Sequence, residues 1–190
     1  MASKLGYEYV GIELRPEQIE ANQQQAASIC QNPLPLWIQG DSSNLDTLWG
    51  GAADMIFTCP PYGNLETYSD DPRDLSGMMW DSFESAYEEI LVKSVRLLKD
   101  SSFLAMVVGN FRDKKTGQYR NLVRTTDRIM EKAGVQLYTE AIIVTAVGSA
   151  TIRAPRSFDA GRKITRTHQH LVVYLKGDPK RACSKLGPVR

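Results

Sequence analysis

Residues 54–62 constrain the fold of this chain more than any other segment, because a short apolar strand runs directly into two prolines. Each proline lacks a backbone N–H and fixes its own φ angle, so Pro60 and Pro61 cannot continue a central strand. The chain must therefore leave the sheet there. Open α/β sheets bind their ligands beyond the carboxyl ends of the strands. We expect the turn to present carbonyl oxygens and the ring of Tyr62 to such a cleft.

Predicted strands and helices alternate along the chain, which is typical of a doubly wound α/β sheet. Apolar runs predict strands at residues 9–13, 36–39, 53–58, 102–109, 137–147 and 170–176. Helical spacing of apolar residues predicts helices at 16–31, 82–98 and 121–133. We predict an acidic loop at 63–77 and basic loops at 111–119 and 153–166. The expected fold class is α/β with helices on both faces of the sheet.

Residues 2–6 look like the last turn of a helix followed by a glycine stop. A single turn does not nucleate alone. We therefore expect that a segment upstream of Met1 is missing from this chain.

The length of 190 residues and the hydrophobic share of 42% predict one domain with a real core. We place that core at residues 7–176 and a basic C-terminal tail at 177–190. The net charge of +1 hides an uneven distribution: residues 1–111 hold 6 basic and 16 acidic side chains, and residues 112–190 hold 17 and 6. The basic half predicts a face that could hold a polyanion. Alternatively, folding back intermixes the two halves.

The sequence has neither a run of 18 apolar residues nor a signal-peptide pattern, which predicts a cytoplasmic protein without a membrane partner. Its three cysteines lie far apart and form no C-x-x-C pair. We therefore predict no disulfide framework and no metal site.

Two carboxylates fall where predicted parallel strands end. Glu13 can accept hydrogen bonds from ribose hydroxyls, as the acid after the second strand does in nucleotide-binding α/β folds. Asp41 follows the next strand and could accept from the exocyclic amine of an adenine. For either residue the alternative is a helix N-cap or a solvated loop acid.

The order of four segments resembles the S-adenosylmethionine-dependent amino-methyltransferases that modify adenine N6 or cytosine N4 in DNA. The segments are Gly11-x-Glu13, Gly40-Asp41, Cys59-Pro60-Pro61-Tyr62 and the apolar strand at 102–109. The resemblance covers about residues 7–176, and the Pro-Pro-Tyr turn is its most specific part. Residues 59–76 are also similar to methylase-like domains of bacteriophage genomes.

The resemblance implies S-adenosylmethionine as cofactor, DNA as partner, and a bacterial or phage-infected cell as the location. It implies that the Pro60 carbonyl and the side chain of residue 59 accept from the target amine and direct its lone pair toward the methyl group. Tyr62 would stack on a base flipped out of the duplex. Cys59 stands where the family has Asp, Asn or Ser, and a thiol is a weak acceptor. A covalent role for Cys59 is the alternative, although no partnered base is evident.

The family's first motif, Phe-x-Gly-x-Gly, has no counterpart before Gly6. The resemblance therefore implies a sheet that lacks its first strand and most of its first helix. An upstream segment, a partner chain or degeneration of the site would each account for this. We expect the chain alone to bind S-adenosylmethionine weakly or not at all.

Further candidate residues lie in the second half. Asn110 and Arg112 follow the apolar strand and are candidates for a lid or target contact, with a simple loop as the alternative. Arg153 and Arg156 are candidates for contacts with DNA phosphates, with a solvated loop as the alternative.

The sequence thus predicts methylation of an exocyclic amino group, adenine N6 or cytosine N4, in DNA. Two alternatives stay open: an inactive or partner-completed DNA-binding domain, and an N-methyltransferase of RNA or of a protein amide.

Overall fold

The computed structural model describes residues 1–30, 32–144, 148 and 150–186, in which strands and helices alternate. The strands are β1 Val10–Glu13, β2 Leu36–Gln39, β3 Ala53–Thr58, β4 Leu98–Val108, β5 Phe111–Arg112, β6 Tyr119–Arg120, β7 Gln136–Val144 and β8 His168–Lys176. The helices are α1 Pro16–Ile29, α2 Leu45–Leu48, α3 Trp80–Leu97, α4 Leu122–Lys132, α5 Ala150–Gly161 and α6 Pro179–Leu186. Short 3-10 turns occur at Ser3–Leu5, Ser42–Asn44, Gly63–Leu65 and Leu75–Gly77. The predicted α/β class is confirmed.

The strands form two main sheets and a hairpin. β1 and β2 are a parallel pair, and a second sheet has the order β3-β4-β8-β7. In this second sheet β3 runs parallel to β4, whereas β8 is antiparallel to both of its neighbours. β5 and β6 form a separate antiparallel hairpin.

The edges of β1 and β3 are both open. The Leu36 N–H donates to the Tyr9 carbonyl (2.8 Å), and the Gly40 N–H donates to the Glu13 carbonyl (3.0 Å). Backbone groups of successive strand residues point to opposite sides, so those of Val10 and Ile12 face away from β2. No strand in the described ranges pairs with that side of β1 or with the second side of β3. The sheet is thus interrupted where the sequence predicts that a strand is lacking.

The core lies between the second sheet and helix α3. Phe83, Tyr87, Leu91 and Val95 recur every four residues along α3 and are at most 4% exposed. This spacing places them on one helix face, where they pack with α4 and with alternate residues of β4. Burying side chains of this kind contributes about 1.5–3 kcal/mol each. The predicted helix at 82–98 is confirmed, although Leu98 already begins β4.

The opposite face of β3 is uncovered. Ile56 packs against the core, whereas Met55 and Phe57, which alternate with it, are 58% and 63% exposed. On this side the second sheet is covered at β4 by α6, whose Ala182 is buried. The open edge and the uncovered apolar side chains of β3 therefore occur together.

Local signals set several helix ends. Pro16 occupies the first turn of α1, which ends at Ile29, two residues earlier than predicted. The Asn121 side chain caps α4 by accepting from the Arg124 N–H (3.1 Å), and Gly134 follows the helix with φ +87°. The predicted last strand segment at 145–147 lies outside the described residues.

Three predicted irregular segments contain regular structure. The loop at 111–119 was predicted wrongly, because β5 and β6 pair across it. The loop at 153–166 was also predicted wrongly, since α5 covers its first part despite Pro155 inside the helix. Residues 179–186 of the predicted tail form α6, with Asp178 at its start accepting from the Arg181 N–H (2.8 Å). Residues 187–190 lie outside the described residues.

Part of the charge asymmetry is neutralised by folding back. Arg128 on α4 pairs with Glu84 on α3 at 2.5 Å, and Lys132 pairs with Glu88 in the same way. The alternative of intermixed halves therefore holds at this contact between helices. Within the described ranges, no helix is long and apolar enough to cross a bilayer.

Candidate active site

The turn after β3 places a thiol, two prolines and a phenol at the end of the strand. Cys59 is exposed, and its Sγ lies 3.8 Å from the Tyr62 hydroxyl. Pro60 and Pro61 carry no N–H, so their carbonyl groups are the polar atoms that this part of the backbone offers. The predicted exit of the chain at the prolines is confirmed, because β3 ends at Thr58.

The ring of Tyr62 is held from two directions. The Gln169 side-chain amide on β8 donates to the Tyr62 hydroxyl at 2.6 Å. On the other side, a Cβ atom at Gly109 would lie only 3.2 Å from the ring, so the glycine permits this close approach. Burial, reinforced by Cys59, raises the pKa of the Tyr62 hydroxyl above its ordinary value. The hydroxyl therefore stays protonated at neutral pH.

Gln169 is a site residue that sequence reasoning missed. It lies 107 positions from Tyr62 in the chain, and it reaches the turn because β8 pairs with β4 beside β3. The one available signal was a polar residue between two histidines at the start of a predicted strand. Its neighbours His168 and His170 pack edge to face at 5.4 Å, and the buried Nδ1 of His170 has no hydrogen-bond partner within the described part of the chain.

Gly63 follows Tyr62 and fixes the course of the turn. Its φ of +54° lies in the left-handed region, where glycine has no steric penalty. A Cβ atom there would also lie 2.4 Å from the ring of Phe111, the first residue of β5. Position 63 thus requires glycine for two independent reasons.

Glu13 ends β1 and already makes local contacts. Its Oε1 accepts from the Arg15 N–H at 3.0 Å. The Arg15 guanidinium in turn donates to the Tyr68 carbonyl at 3.4 Å, in the loop that follows β3. The carboxyl ends of β1 and β3 therefore lie on the same side of the interrupted sheet.

Asp41 caps the 3-10 turn Ser42–Asn44. Its Oδ1 accepts from the Ser43 N–H at 2.8 Å, so the N-cap alternative describes this side chain. An N-cap uses one lone pair, and a carboxylate offers about four acceptor sites.

One cleft of about 1920 Å³ brings the two acids and the turn together. Its lining includes Glu13, Asp41, Cys59, Pro60, Pro61, Tyr62 and Gln169. Drug-sized ligands occupy pockets of about 300–1,000 Å³, so this cleft is larger than one such ligand requires. Residues of β1 and β3 form its walls, which makes the interruption of the sheet part of the same space.

The other predicted site residues lie outside this cleft. The Asn110 side chain accepts from the Val123 N–H at 3.0 Å, at the start of α4. Arg112 donates to the Gly117 carbonyl at 3.2 Å within the hairpin. Arg153 and Arg156 are exposed on α5. Their predicted roles therefore concern positions outside the cleft lining.

Among the residues described, no group of three His, Cys, Asp or Glu side chains could hold a metal ion. Around the turn, the cleft offers carbonyl groups, the Cys59 thiol, the Gln169 amide and the Tyr62 phenol, and the strand ends add the carboxylates of Glu13 and Asp41.

Comparison with known proteins identifies the fold. No protein-family model matches the chain. A type II methyltransferase of Thermus thermophilus is 30% identical over 115 residues, which are 54% of this chain and 24% of that enzyme. The match thus spans about a quarter of its relative's length.

Solved structures identify the fold more directly than the sequence match does. A SAM-dependent methyltransferase of Methanosarcina mazei matches 92% of this chain and 84% of its own, with a TM-score of 0.57 and 10% identity. A candidate DNA modification methylase of Thermus thermophilus matches 90% of this chain and 53% of its own, with a TM-score of 0.53 and 14% identity. The chain has the fold of the SAM-dependent methyltransferases.

Proposed function

We propose that this chain belongs to an enzyme that transfers the methyl group of S-adenosylmethionine to an exocyclic amino group of a DNA base. The observation that carries the proposal is the shared cleft. It holds the Cys59-Pro-Pro-Tyr62 turn together with Glu13 and Asp41, the two acids at the ends of β1 and β2. The likeness to a candidate DNA modification methylase, together with the partial match to a type II methyltransferase, supports DNA as the substrate.

The residues present fit the cofactor in part. Glu13 suits the ribose hydroxyls and Asp41 the adenine amine, because both carboxylates reach the cleft from neighbouring strand ends. S-adenosylmethionine, when bound, supplies an electrophilic methyl group. A structure of the same Thermus candidate methylase in complex with S-adenosyl-L-methionine has a TM-score of 0.50 to this chain.

The turn supplies the groups that prepare the amine. The Pro60 carbonyl accepts one N–H of the target amine, and this acceptor directs the nitrogen lone pair out of the base plane. The Cys59 thiol is the weaker second acceptor. The nitrogen gains a methyl group and releases a proton. Solvent can accept this proton, because the Cys59 side of the turn is exposed. The half-buried Tyr62 ring, fixed by Gln169 and Gly109, stacks on the base.

The active protein contains one more strand, placed between β1 and β3. The backbone groups of Val10 and Ile12 face this gap, and the apolar side chains of Met55 and Phe57 are uncovered beside it. Two buried polar atoms, Ser3 Oγ and Trp37 Nε1, also have no hydrogen-bond partner among the residues that the structure describes. An upstream segment or a partner chain would supply the strand, and with it the rest of the cofactor site.

Hydrogen exchange tests the extra strand. The amides of Val10 and Ile12 should exchange at loop-like rates in the 190-residue chain and become protected in protein that contains the strand. Strong protection of both amides in the monomeric chain would contradict this part of the proposal.

Methyl transfer tests the reaction. Protein completed by the extra strand is incubated with duplex DNA and S-adenosylmethionine carrying a labelled methyl group, and the modified base is identified after digestion. Tyr62→Ala should abolish most of the transfer, because a base–aromatic stack contributes about 1–3 kcal/mol. Tyr138→Ala is the matched control, since this exposed tyrosine on β7 does not line the cleft. Equal loss in both variants, or label on RNA or protein but not on DNA, would refute the proposal.

The alternatives have distinct outcomes in the same assay. An inactive DNA-binding domain would bind the duplex but leave it unlabelled even when completed. As a DNA methyltransferase, the protein would act in the cytoplasm of a bacterial or phage-infected cell.

A further inference from the structure

Three arginines beside the cleft are held by aromatic rings and carbonyl groups. The guanidinium carbons of Arg112 and Arg166 lie 5.6 Å and 5.2 Å from the centre of the Tyr119 ring. Arg166 also donates to the Tyr119 hydroxyl (3.0 Å) and to the Asn110 carbonyl (2.5 Å). Arg120 stacks on Trp80 at 4.8 Å. Arg120 pairs across the hairpin with the core residue Phe111, whereas Arg112 pairs with Tyr119, so Arg120 lies on the other face of the hairpin. We refer to Arg112 and Arg166 with Tyr119 as the hairpin cluster.

The charges of the hairpin cluster are not neutralised by acids. Among the ion pairs between described residues, none includes Arg112 or Arg166. Arg112 and Arg166 crowd the same ring, where like charges repel. An anion that bridges them would relieve this repulsion and satisfy donors that the protein leaves free.

The acid of the hairpin does not neutralise these arginines. Asp113 is buried, and its Oδ1 accepts from the N–H groups of Lys115 (2.8 Å) and Thr116 (2.9 Å). These backbone hydrogen bonds hold the pKa of Asp113 below its ordinary value. Its charge thus serves to close the hairpin loop. The two exposed lysines at positions 114 and 115 add to the positive surface.

The hairpin contacts the turn that carries Tyr62. Asn64, two residues after Tyr62, accepts from the Lys114 N–H at 3.2 Å. The Phe111 ring occupies the space that a side chain at Gly63 would take. An anion bound by Arg112 and Arg166 would therefore lie on the hairpin that packs against the turn of Tyr62.

We propose that the hairpin cluster binds the phosphodiester backbone of the DNA strand that carries the target base. Guanidinium groups recognise phosphate through paired donors, and stacking on a ring fixes their orientation before binding. The cluster thus positions the nucleotides next to the flipped base. This inference rests on the proposed function for its substrate, but it concerns binding and needs no methyl transfer.

Salt-dependent DNA binding tests the inference. Binding of a fluorescent duplex of about 20 base pairs to the whole protein is followed by anisotropy from about 50 to 200 mM salt, without cofactor. Each phosphate contact contributes about 0.9 to the slope of log K against log salt. Arg112→Gln and Arg166→Gln should each lower the slope by about that amount.

Arg96→Gln is the matched control, because Arg96 is exposed in the last turn of α3 and carries the same charge. Its slope should equal that of the unmodified protein. Folding of each variant is checked by thermal unfolding. Unchanged slopes in folded cluster variants would overturn the inference while leaving methyl transfer intact. A protein that binds a duplex of RNA but not of DNA would instead overturn the proposed function.

Discussion

The hydrogen bond between Gln169 and Tyr62 offers a direct test of how the candidate site is built. We consider Gln169→Leu, which keeps the size of the side chain and removes the amide that donates to the Tyr62 hydroxyl at 2.6 Å. The hydroxyl then retains only the Cys59 sulfur at 3.8 Å, a weak partner.

The expected magnitude follows from the burial of the pair. A neutral hydrogen bond contributes about 0.5–1.5 kcal/mol net, and leaving a buried partner unsatisfied costs about 1–3 kcal/mol. Because Tyr62 and Gln169 are half-buried, water can replace part of the lost bond. We therefore expect the free energy of unfolding to fall by about 1 kcal/mol, near the centre of the range for a net hydrogen bond.

The assay is a double-mutant cycle by urea unfolding, with Gln169→Leu, Tyr62→Phe and the combined variant. Either single change leaves one polar group without its partner, and the combined change removes both. The cycle should give an interaction energy of about 0.5–1.5 kcal/mol. Gln136→Leu, at an exposed position on β7, is the control and should show no coupling with Tyr62→Phe. Effects that add to within about 0.3 kcal/mol would refute the reasoning, because uncoupled sites behave in that way.

The turn, the core and the cleft each support one more prediction. Gly63→Ala should lower the free energy of unfolding by about 1–3 kcal/mol more than Gly117→Ala. Both positions have positive φ, but only a side chain at position 63 would clash with a ring. Chemical unfolding of the two variants checks this, and equal losses would contradict it. Burial, reinforced by the hydrogen bond to Asp127, raises the pKa of Tyr174, so its contribution to stability should be complete below about pH 10 and decline at higher pH. Unfolding between about pH 8 and 11 should therefore show a smaller decline in Tyr174→Phe, and an unchanged decline would argue against this contribution. The 190-residue chain should bind S-adenosylmethionine more weakly than the low micromolar range in calorimetry, whereas the completed protein should bind it and lose affinity in Glu13→Gln.

Much of the fold was predictable because its signals are local. The two prolines after Thr58 end β3 through chemistry that belongs to those residues alone, and Asn121 with Gly134 bounds α4 in the same way. Pro16 likewise marks the start of α1. Such features depend on a few neighbours in the chain, so sequence reasoning reaches them.

Contacts between distant segments were not predictable. Gln169 meets Tyr62 only because β8 pairs antiparallel with β4. The hairpin formed by β5 and β6 contains turn residues, Asp113 and Gly117, but its position depends on Phe111 packing on Gly63, far upstream. Helix α5 forms around Pro155, a residue that argues against a helix when it is considered alone.

The open edges of β1 and β3 also affect the solubility of the protein. Unpaired strand edges are templates on which other chains can pair, and natural proteins protect them. Here the edge that would admit the remaining strand is flanked by the exposed Met55 and Phe57. A copy without the strand would expose this edge and its apolar side chains to other proteins. Under the proposed function, solubility and methyl transfer would depend on the same event.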